Sequence, residues 1–144
     1  MENILVSACL LGEKCRYDGE SKPNEQVLKL IGKYNCIPVC PEVDGGLPTP
    51  RKPSEIVGDR VIMCDGTDVT CEYNKGALLA YGTACKYGCK IAVLKARSPS
   101  CGKGFVYDGT YTKTLTKGNG ITAELLMSNG ITVLDETELE KLEI

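Results

Sequence analysis

The 144-residue sequence carries 17 basic and 19 acidic side chains, a formal net charge of −2, nine cysteines and no histidine. Because basic and acidic residues are mixed along the chain, we expect a small-molecule partner, no membrane anchor and no extended nucleic-acid surface. The lack of histidine excludes Cys–His catalysis and leaves proton transfer to carboxylates, Lys, Tyr, Ser or water. No apolar run is long enough to span a membrane, and Glu2 stands where a signal peptide would be basic, so we expect a cytoplasmic protein.

The N-terminal part of the chain predicts a β–α–β unit. Asn3–Ser7 has the apolar character of a buried strand, and a second strand is predicted over Cys36–Val39. Between them a helix is predicted over Glu25–Lys33, capped by Asn24 or Ser21. Such a crossover favours a parallel pair of strands. The helix should bury one apolar stripe, formed by Val27, Leu28, Leu30 and Ile31.

The segment Ile37–Arg51 is the stretch around which the chain is organised. Its apolar start ends in Cys-Pro-Glu, and the rest contains two glycines and several prolines, so almost nothing in it favours a helix. The pattern predicts a buried strand that delivers Cys40 and Glu42 to a rigid loop. Loops of this kind often carry binding or catalytic residues, although a structural turn with an ordinary buried cysteine has the same pattern.

Strands and helices alternate in the second half of the chain. A hairpin is predicted around Asp65-Gly66 from Arg60–Met63 and Asp68–Thr70, and a second hairpin or flap within 105–111. The other predicted elements are helices over Cys71–Tyr87, Ile121–Ser128 and Glu136–Leu142, and strands over Ile91–Leu94 and Ile131–Leu134. We therefore predict an α/β protein, a single-domain three-layer Rossmann-like fold over residues 1–144, with a mainly parallel sheet and small β-hairpin excursions.

Three cysteines follow predicted strands. Cys9, Cys40 and Cys101 each lie in such a loop, and the carboxyl ends of parallel strands meet at one edge of a sheet. Three converging thiolates fit an iron–sulfur cluster with one open iron, or a three-coordinate zinc ion with a bound water. Three buried structural cysteines would show the same pattern.

The remaining cysteines give weaker signals. Cys64 and Cys71 flank the predicted hairpin, and we expect them to be structural. Two pairs have the four-residue spacing of a zinc half-site, which also places small residues on one face of an element: Cys36 with Cys40, and Cys85 with Cys89.

Polar residues surround the three thiols in the sequence. Glu42 follows Cys40 closely and offers a carboxylate for proton transfer, and the hydroxyls of Ser98 and Ser100 precede Cys101. Each of the three loop regions also carries an arginine that could bind an anionic or carbonyl group: Arg16, Arg51 and Arg97. For Arg51 a salt bridge between loops is an equal alternative.

Three motifs resemble those of the thiouracil desulfidase (TudS) family. They are SACLLG with CRYDG (7–12 and 15–19), CPE with GGLPTPR (40–42 and 45–51) and SPSCG (98–102). The C-terminal region also fits that family, so the resemblance extends over essentially the whole chain. It implies desulfuration of a thiolated pyrimidine such as 2-thiouracil, with release of uracil and sulfide and no net redox change.

The resemblance also implies a cofactor and roles for individual residues. A 4Fe–4S cluster would be held by Cys9, Cys40 and Cys101, with one open iron acting as a Lewis acid, and aerobic preparation would readily lose it. Glu42 would shuttle protons, and Ser100 or Ser98 would orient the substrate or assist the transfer. Cys15 is the rival ligand.

Four residues are expected to bind the substrate. Arg16 and Arg97 lie in the loops that carry Cys9 and Cys101, and Gly45 and Gly46 would let the backbone approach a flat base. Two other functions fit the cysteine content: a zinc-binding or structural module without catalysis, and a persulfide carrier with Cys101 as the reactive thiol.

Overall fold

The computed structural model describes residues 1–142 and is built on a central sheet of four parallel strands. In chain order the strands are β1 Asn3–Ser7, β2 Asn35–Val39, β3 Ser54–Val57, β4 Arg60–Met63, β5 Ile91–Leu94, β6 Phe105–Tyr107, β7 Leu115–Lys117 and β8 Thr132–Asp135. The central sheet has the order β2–β1–β5–β8, whereas β3–β4 and β6–β7 are antiparallel hairpins. This arrangement confirms the predicted α/β fold with a parallel sheet and small hairpins.

Helices cover both faces of the central sheet. They are α1 Glu25–Leu28, α2 Pro41–Asp44, α3 Thr70–Tyr87 and α4 Ile121–Ser128, with short 3-10 helices at Ala8–Leu11, Lys29–Gly32 and Leu139–Lys141. On one face, side chains of α3 and α4 such as Ala84 and Leu126 pack against Leu94 of β5. On the other face, Leu10 and Val27 pack against Val93. The sheet is therefore the middle of three layers.

The helix predicted over Glu25–Lys33 is correct in position but not in form. Asn24 caps it, because its side chain accepts a hydrogen bond from the backbone N–H of Val27 at 3.1 Å. After one α-helical turn the chain tightens into a 3-10 helix, which rotates the apolar stripe away from the sheet. Val27 and Leu30 are buried as expected, but Leu28 and Ile31 are 37% and 52% exposed.

The prediction of the first hairpin was wrong about one of its strands. β4 pairs with β3, and a two-residue turn at Gly58-Asp59 joins them, whereas Asp68 forms only an isolated bridge with Ile62. Asp65-Gly66 does form a turn, in which the N–H of Gly66 donates to the carbonyl of Met63 at 2.8 Å. The segment therefore contains two turns, Gly58-Asp59 and Asp65-Gly66. The first forms the hairpin because the strands on either side of it pair over four residues, whereas the second closes a single bridge.

Two helix predictions also need correction. The segment Ile37–Arg51 contains α2, a single helical turn that starts at Pro41, since proline is well suited to the first position of a helix. The helix predicted over Glu136–Leu142 is reduced to the 3-10 turn Leu139–Lys141. No helix within residues 1–142 is long and apolar enough to span a membrane.

Two glycines allow α2 to pack directly on α3. A Cβ atom at Gly45 would collide with the backbone carbonyl of Glu72, and one at Gly76 would collide with the carbonyl of Pro41. The two backbones therefore touch without intervening side chains. Because α2 carries Glu42 and directly follows Cys40, this contact fixes the position of both side chains.

Gly76→Ala should destabilise the protein by about 1–3 kcal/mol, because the new methyl group forces α2 away from α3. Gly82→Ala is the matched control. It lies on the same helix, where an added Cβ would meet no atom within 4 Å, and it should stabilise the helix by up to about 1 kcal/mol. Urea unfolding of both variants measures the difference, and equal stabilities would contradict the proposed close contact.

Candidate active site

A cavity of about 500 Å³ opens at the carboxyl edge of the parallel sheet. Its walls include segments at the carboxyl ends of three neighbouring strands: Ser7–Cys9 at the end of β1, Cys40–Glu42 after β2 and Lys95–Pro99 after β5. Ligands of open parallel sheets bind at this edge. The volume lies within the range of small-molecule sites.

Five cysteines line this cavity: Cys9, Cys15, Cys40, Cys101 and Cys64, of which Cys64, expected from the sequence to be structural, is exposed. Cys9 and Cys101 are buried, and Cys15 and Cys40 are half-buried. The thiol of Cys15 lies beside those of both Cys9 and Cys40, and Cys40 is close enough to Cys101 to affect its ionisation. The structure thus brings together the three thiols predicted to act as ligands, with the rival Cys15 among them.

The protein surroundings raise the pKa values of three of these thiols, those of Cys15, Cys40 and Cys101. Contact with Cys15 and burial raise the pKa of Cys40 well above its usual range. Burial raises the pKa of Cys101 to about 12, with the charge of Glu42 adding to the effect. At Cys15 the contact with Cys40 lowers the pKa, but the contact with Cys9 and burial outweigh it, so the pKa is about 11.

Within the part of the chain that the structure describes, these thiols are not placed to share a single metal ion. Within residues 1–142, no three His, Cys, Asp or Glu side chains are close enough together to share one ion. A cluster is larger than an ion, so its thiolate ligands stand further apart around it. A cationic metal centre would also supply the positive charge that deprotonation of these buried thiols requires.

Arg51 connects the Glu42 wall of the cavity with the Cys15 wall. Its side chain is only 3% exposed, and its Nε donates to Glu42 Oε1 at 3.0 Å. Its Nη2 donates to the carbonyl of Cys15 at 2.9 Å, and its Nη1 donates to the carbonyl of Pro48 at 3.1 Å. Of the two alternatives for Arg51, the geometry therefore favours the salt bridge that holds loops together.

The two serines before Cys101 have different surroundings. Ser98 lines the cavity, its Oγ accepts the backbone N–H groups of Ser100 and Cys101 at 3.0 Å each, and its hydroxyl donates to Glu42 Oε2 at 3.4 Å. Ser100 is fully buried outside the cavity lining, with its Oγ 2.7 Å from that of Thr122 on α4. Ser98 therefore reaches the cavity, whereas Ser100 anchors the loop to α4.

The residues expected to bind substrate also divide into two groups. Arg16 and Arg97 line the cavity, where Arg16 lies 3.5 Å from the Asp18 carboxylate. Gly45 and Gly46 do not line it. Gly45 is instead occupied by the contact with α3, and Gly46 has a φ of 109°, which permits the turn after α2.

Several cavity residues were missed by the sequence analysis. Ser54 at the start of β3 and Tyr73 on α3 form one side of the cavity, and Ser7 lies near Cys101, whose pKa it lowers. Tyr111 and Lys113, in the loop 108–114, form another side. Tyr73 belongs to the same helical stripe as Ala77, Ala80 and Ala84, so the periodicity could have predicted its burial, but nothing local indicates the cavity.

The fold and the site together define an α/β protein with a thiol-lined cavity at the edge of a parallel sheet. The model of the 2-thiouracil desulfurase family matches residues 4–138. The chain therefore belongs to the 2-thiouracil desulfurase family and is an enzyme of this kind, which confirms the resemblance noted in the sequence.

Two individual proteins are similar over nearly their whole length. The uncharacterized protein YbbK of Bacillus subtilis (strain 168) is 38% identical over 149 residues, which cover 96% of this chain and 99% of the relative. The solved structure of the [4Fe-4S]-dependent thiouracil desulfidase TudS is 44% identical and superposes with a TM-score of 0.93, covering 99% of this chain and 95% of that chain.

The alternative functions find little support in the geometry. Within the described residues, neither four-apart cysteine pair has a third His, Cys, Asp or Glu side chain placed to complete a zinc site. A persulfide carrier needs an accessible, readily ionised thiol, but Cys101 is buried and its pKa is raised.

Arg51→Lys should lower the free energy of unfolding by about 2–3 kcal/mol, because lysine keeps the charge but cannot replace the guanidinium's several directed hydrogen bonds. Arg60→Lys is the control, since Arg60 pairs with Asp68 at an exposed position and should change stability by less than about 1 kcal/mol. Urea unfolding compares the two. Similar losses would show that the buried network adds little.

Proposed function

We propose that this protein removes sulfur from a thiolated pyrimidine such as 2-thiouracil by hydrolysis. The C=S bond breaks, a C=O bond forms to the oxygen of water, and the two hydrogens of water leave with the sulfur as H₂S. No oxidation state changes, so neither a reductant nor an oxidant is consumed. The observation that carries the proposal is one cavity that contains Cys9, Cys40, Cys101 and Glu42.

A 4Fe–4S cluster is the cofactor we propose for this cavity, with Cys9, Cys40 and Cys101 as its ligands. The similar desulfidase TudS is described as [4Fe-4S]-dependent, and cysteine thiolates are the usual ligands of such clusters. The bound cluster would supply a Lewis-acidic iron for the substrate sulfur. Cys15 is assigned a supporting position beside Cys9 and Cys40 rather than a place in the ligand set.

Glu42 is the residue we assign to proton transfer. Arg51 holds its Oε1 at 3.0 Å, whereas its Oε2 makes a longer contact of 3.4 Å with Ser98. One oxygen therefore fixes the carboxylate and the other can accept a proton from water and pass it to the departing sulfur. This arrangement provides a general base in a chain that has no histidine.

The two serines and two arginines act around this centre. We assign Ser98 to orienting Glu42 and the Cys101 loop, and Ser100 to holding that loop against α4. Arg16 and Arg97 are assigned to the carbonyl groups of the substrate. The cavity volume suits a free base or a nucleoside rather than a polynucleotide.

Anaerobically purified or reconstituted protein should bind about four irons per chain. Cys9→Ser, Cys40→Ser and Cys101→Ser should each lose most of this iron, because each removes a thiolate ligand. Cys15→Ser should retain it, as should Cys71→Ser, which changes an exposed cysteine on α3 and serves as the control. Iron analysis and the visible absorption spectrum report both results. Iron loss from Cys15→Ser with retention by Cys9→Ser would overturn the ligand set.

Glu42→Gln should lower the turnover of 2-thiouracil by about 10²–10⁴-fold, because glutamine keeps a hydrogen-bond acceptor for Arg51 but cannot transfer a proton. Sulfide release measures the rate, and iron content shows whether the cluster is intact. Glu25→Gln, at an exposed position in the first turn of α1, is the control and should have unchanged turnover. Full activity of Glu42→Gln with bound iron would rule out the proton-transfer role.

A further inference from the structure

Ser54 carries a buried hydroxyl without a hydrogen bond. The residue is 8% exposed, and within residues 1–142 its Oγ is the one fully buried side-chain nitrogen or oxygen that lacks a hydrogen-bond partner. Leaving such a group unpaired is costly, and unpaired buried polar groups in native proteins usually have a missing partner such as a ligand or a water. The phenol of Tyr73 is near enough to interact with this hydroxyl, but it makes no hydrogen bond of normal geometry with it.

The position of Ser54 indicates what that partner is. Ser54 lines the same cavity as the thiols, next to Tyr73, which is 1% exposed. Burial and the charge of Glu42 raise the pKa of Tyr73, and the Ser54 hydroxyl lowers it, so the phenol lies near both groups. Glu42 also affects the ionisation of Cys40 and Cys101, so its carboxylate is near both the thiols and the Ser54–Tyr73 side of the cavity.

The Ser54–Tyr73 side belongs to a different part of the core from the thiols. Tyr73 packs in a cluster with Leu47, Val61 and Val69, whereas Cys9 and Cys101 pack in the two clusters that flank the sheet. A planar ring with its sulfur at the thiols would therefore present a different edge toward Ser54. A serine O–H is a suitable donor to a ring carbonyl.

We propose that Ser54 is a specificity residue whose hydroxyl donates a hydrogen bond to the oxo group that the reaction leaves unchanged. This inference rests on the proposed function for the identity of the ligand. It assigns the substrate class more narrowly, to thiolated pyrimidines that also carry a ring carbonyl. Sites built to hydrogen-bond one substrate group discriminate strongly against analogues that lack it.

The test combines one substitution with one change of ligand. Wild-type protein and Ser54→Ala are titrated with uracil and with pyrimidin-2-one, which lacks the second oxo group, and sulfide release is compared for 2-thiouracil and 2-mercaptopyrimidine. Ser54→Ala should weaken uracil binding and lower kcat/KM for 2-thiouracil about tenfold, through KM. The affinity for pyrimidin-2-one and the kcat/KM for 2-mercaptopyrimidine, which both lack the second oxo group, should change less than twofold on this substitution. Ser128→Ala, at the exposed end of α4, should behave like the wild type.

Thermal unfolding without ligand separates this role from a structural one. Since the Ser54 hydroxyl makes no hydrogen bond of normal geometry with a protein group, Ser54→Ala should melt at the wild-type temperature or above it. A lower melting temperature with unchanged discrimination between the two ligands would overturn the proposal. So would equal affinities of the wild-type protein for uracil and pyrimidin-2-one, a result that does not depend on any variant.

The ligand titrations do not require turnover, so the two hypotheses can fail separately. Binding of uracil that depends on Ser54, without sulfide release, would support the specificity role and contradict the desulfidase reaction. Sulfide release with no effect of Ser54→Ala on either ligand pair would support the reaction and reject Ser54.

Discussion

One buried arginine connects the segments that make this cavity a site. Arg51 is almost fully enclosed, and its guanidinium joins the carboxylate of Glu42 on α2 to the backbone of the loop that carries Cys15. A buried charge is tolerated only when it is paired and hydrogen-bonded, and here both conditions are met. The pairing holds Oε1 of Glu42 and leaves Oε2, the oxygen to which we assign proton transfer, in a longer contact with Ser98.

Close contacts between backbone segments support this network. Gly45 and Gly76 let α2 lie directly on α3, and Gly120 lets the start of α4 approach the Ser100 carbonyl beside Cys101. Two of the three cysteine loops are thus held by glycine contacts with helices on one face of the sheet. Preorganised side chains around a reacting group reduce the reorganisation that a reaction requires.

The sequence was sufficient for features that depend on local pattern and strand order. The bounds of β1, β5 and α4 were predicted correctly, and the parallel sheet brought the loops of Cys9, Cys40 and Cys101 to one cavity. Features decided by long-range partners were not predictable. Whether the backbone of Gly45 lies against a ligand or against a helix depends on α3. Ser54 lies on β3, a strand that the sequence analysis did not predict and that pairs with β4.

The most direct test of the desulfidase reaction is turnover of 2-thiouracil by anaerobically reconstituted protein in ¹⁸O-labelled water without a reductant. Uracil and sulfide should form in a 1:1 ratio, each uracil should contain one oxygen from water, and both products should be absent when iron is removed. Unlabelled uracil, a requirement for a reductant, or equal activity without iron would contradict hydrolytic, cluster-dependent removal of sulfur in this cavity.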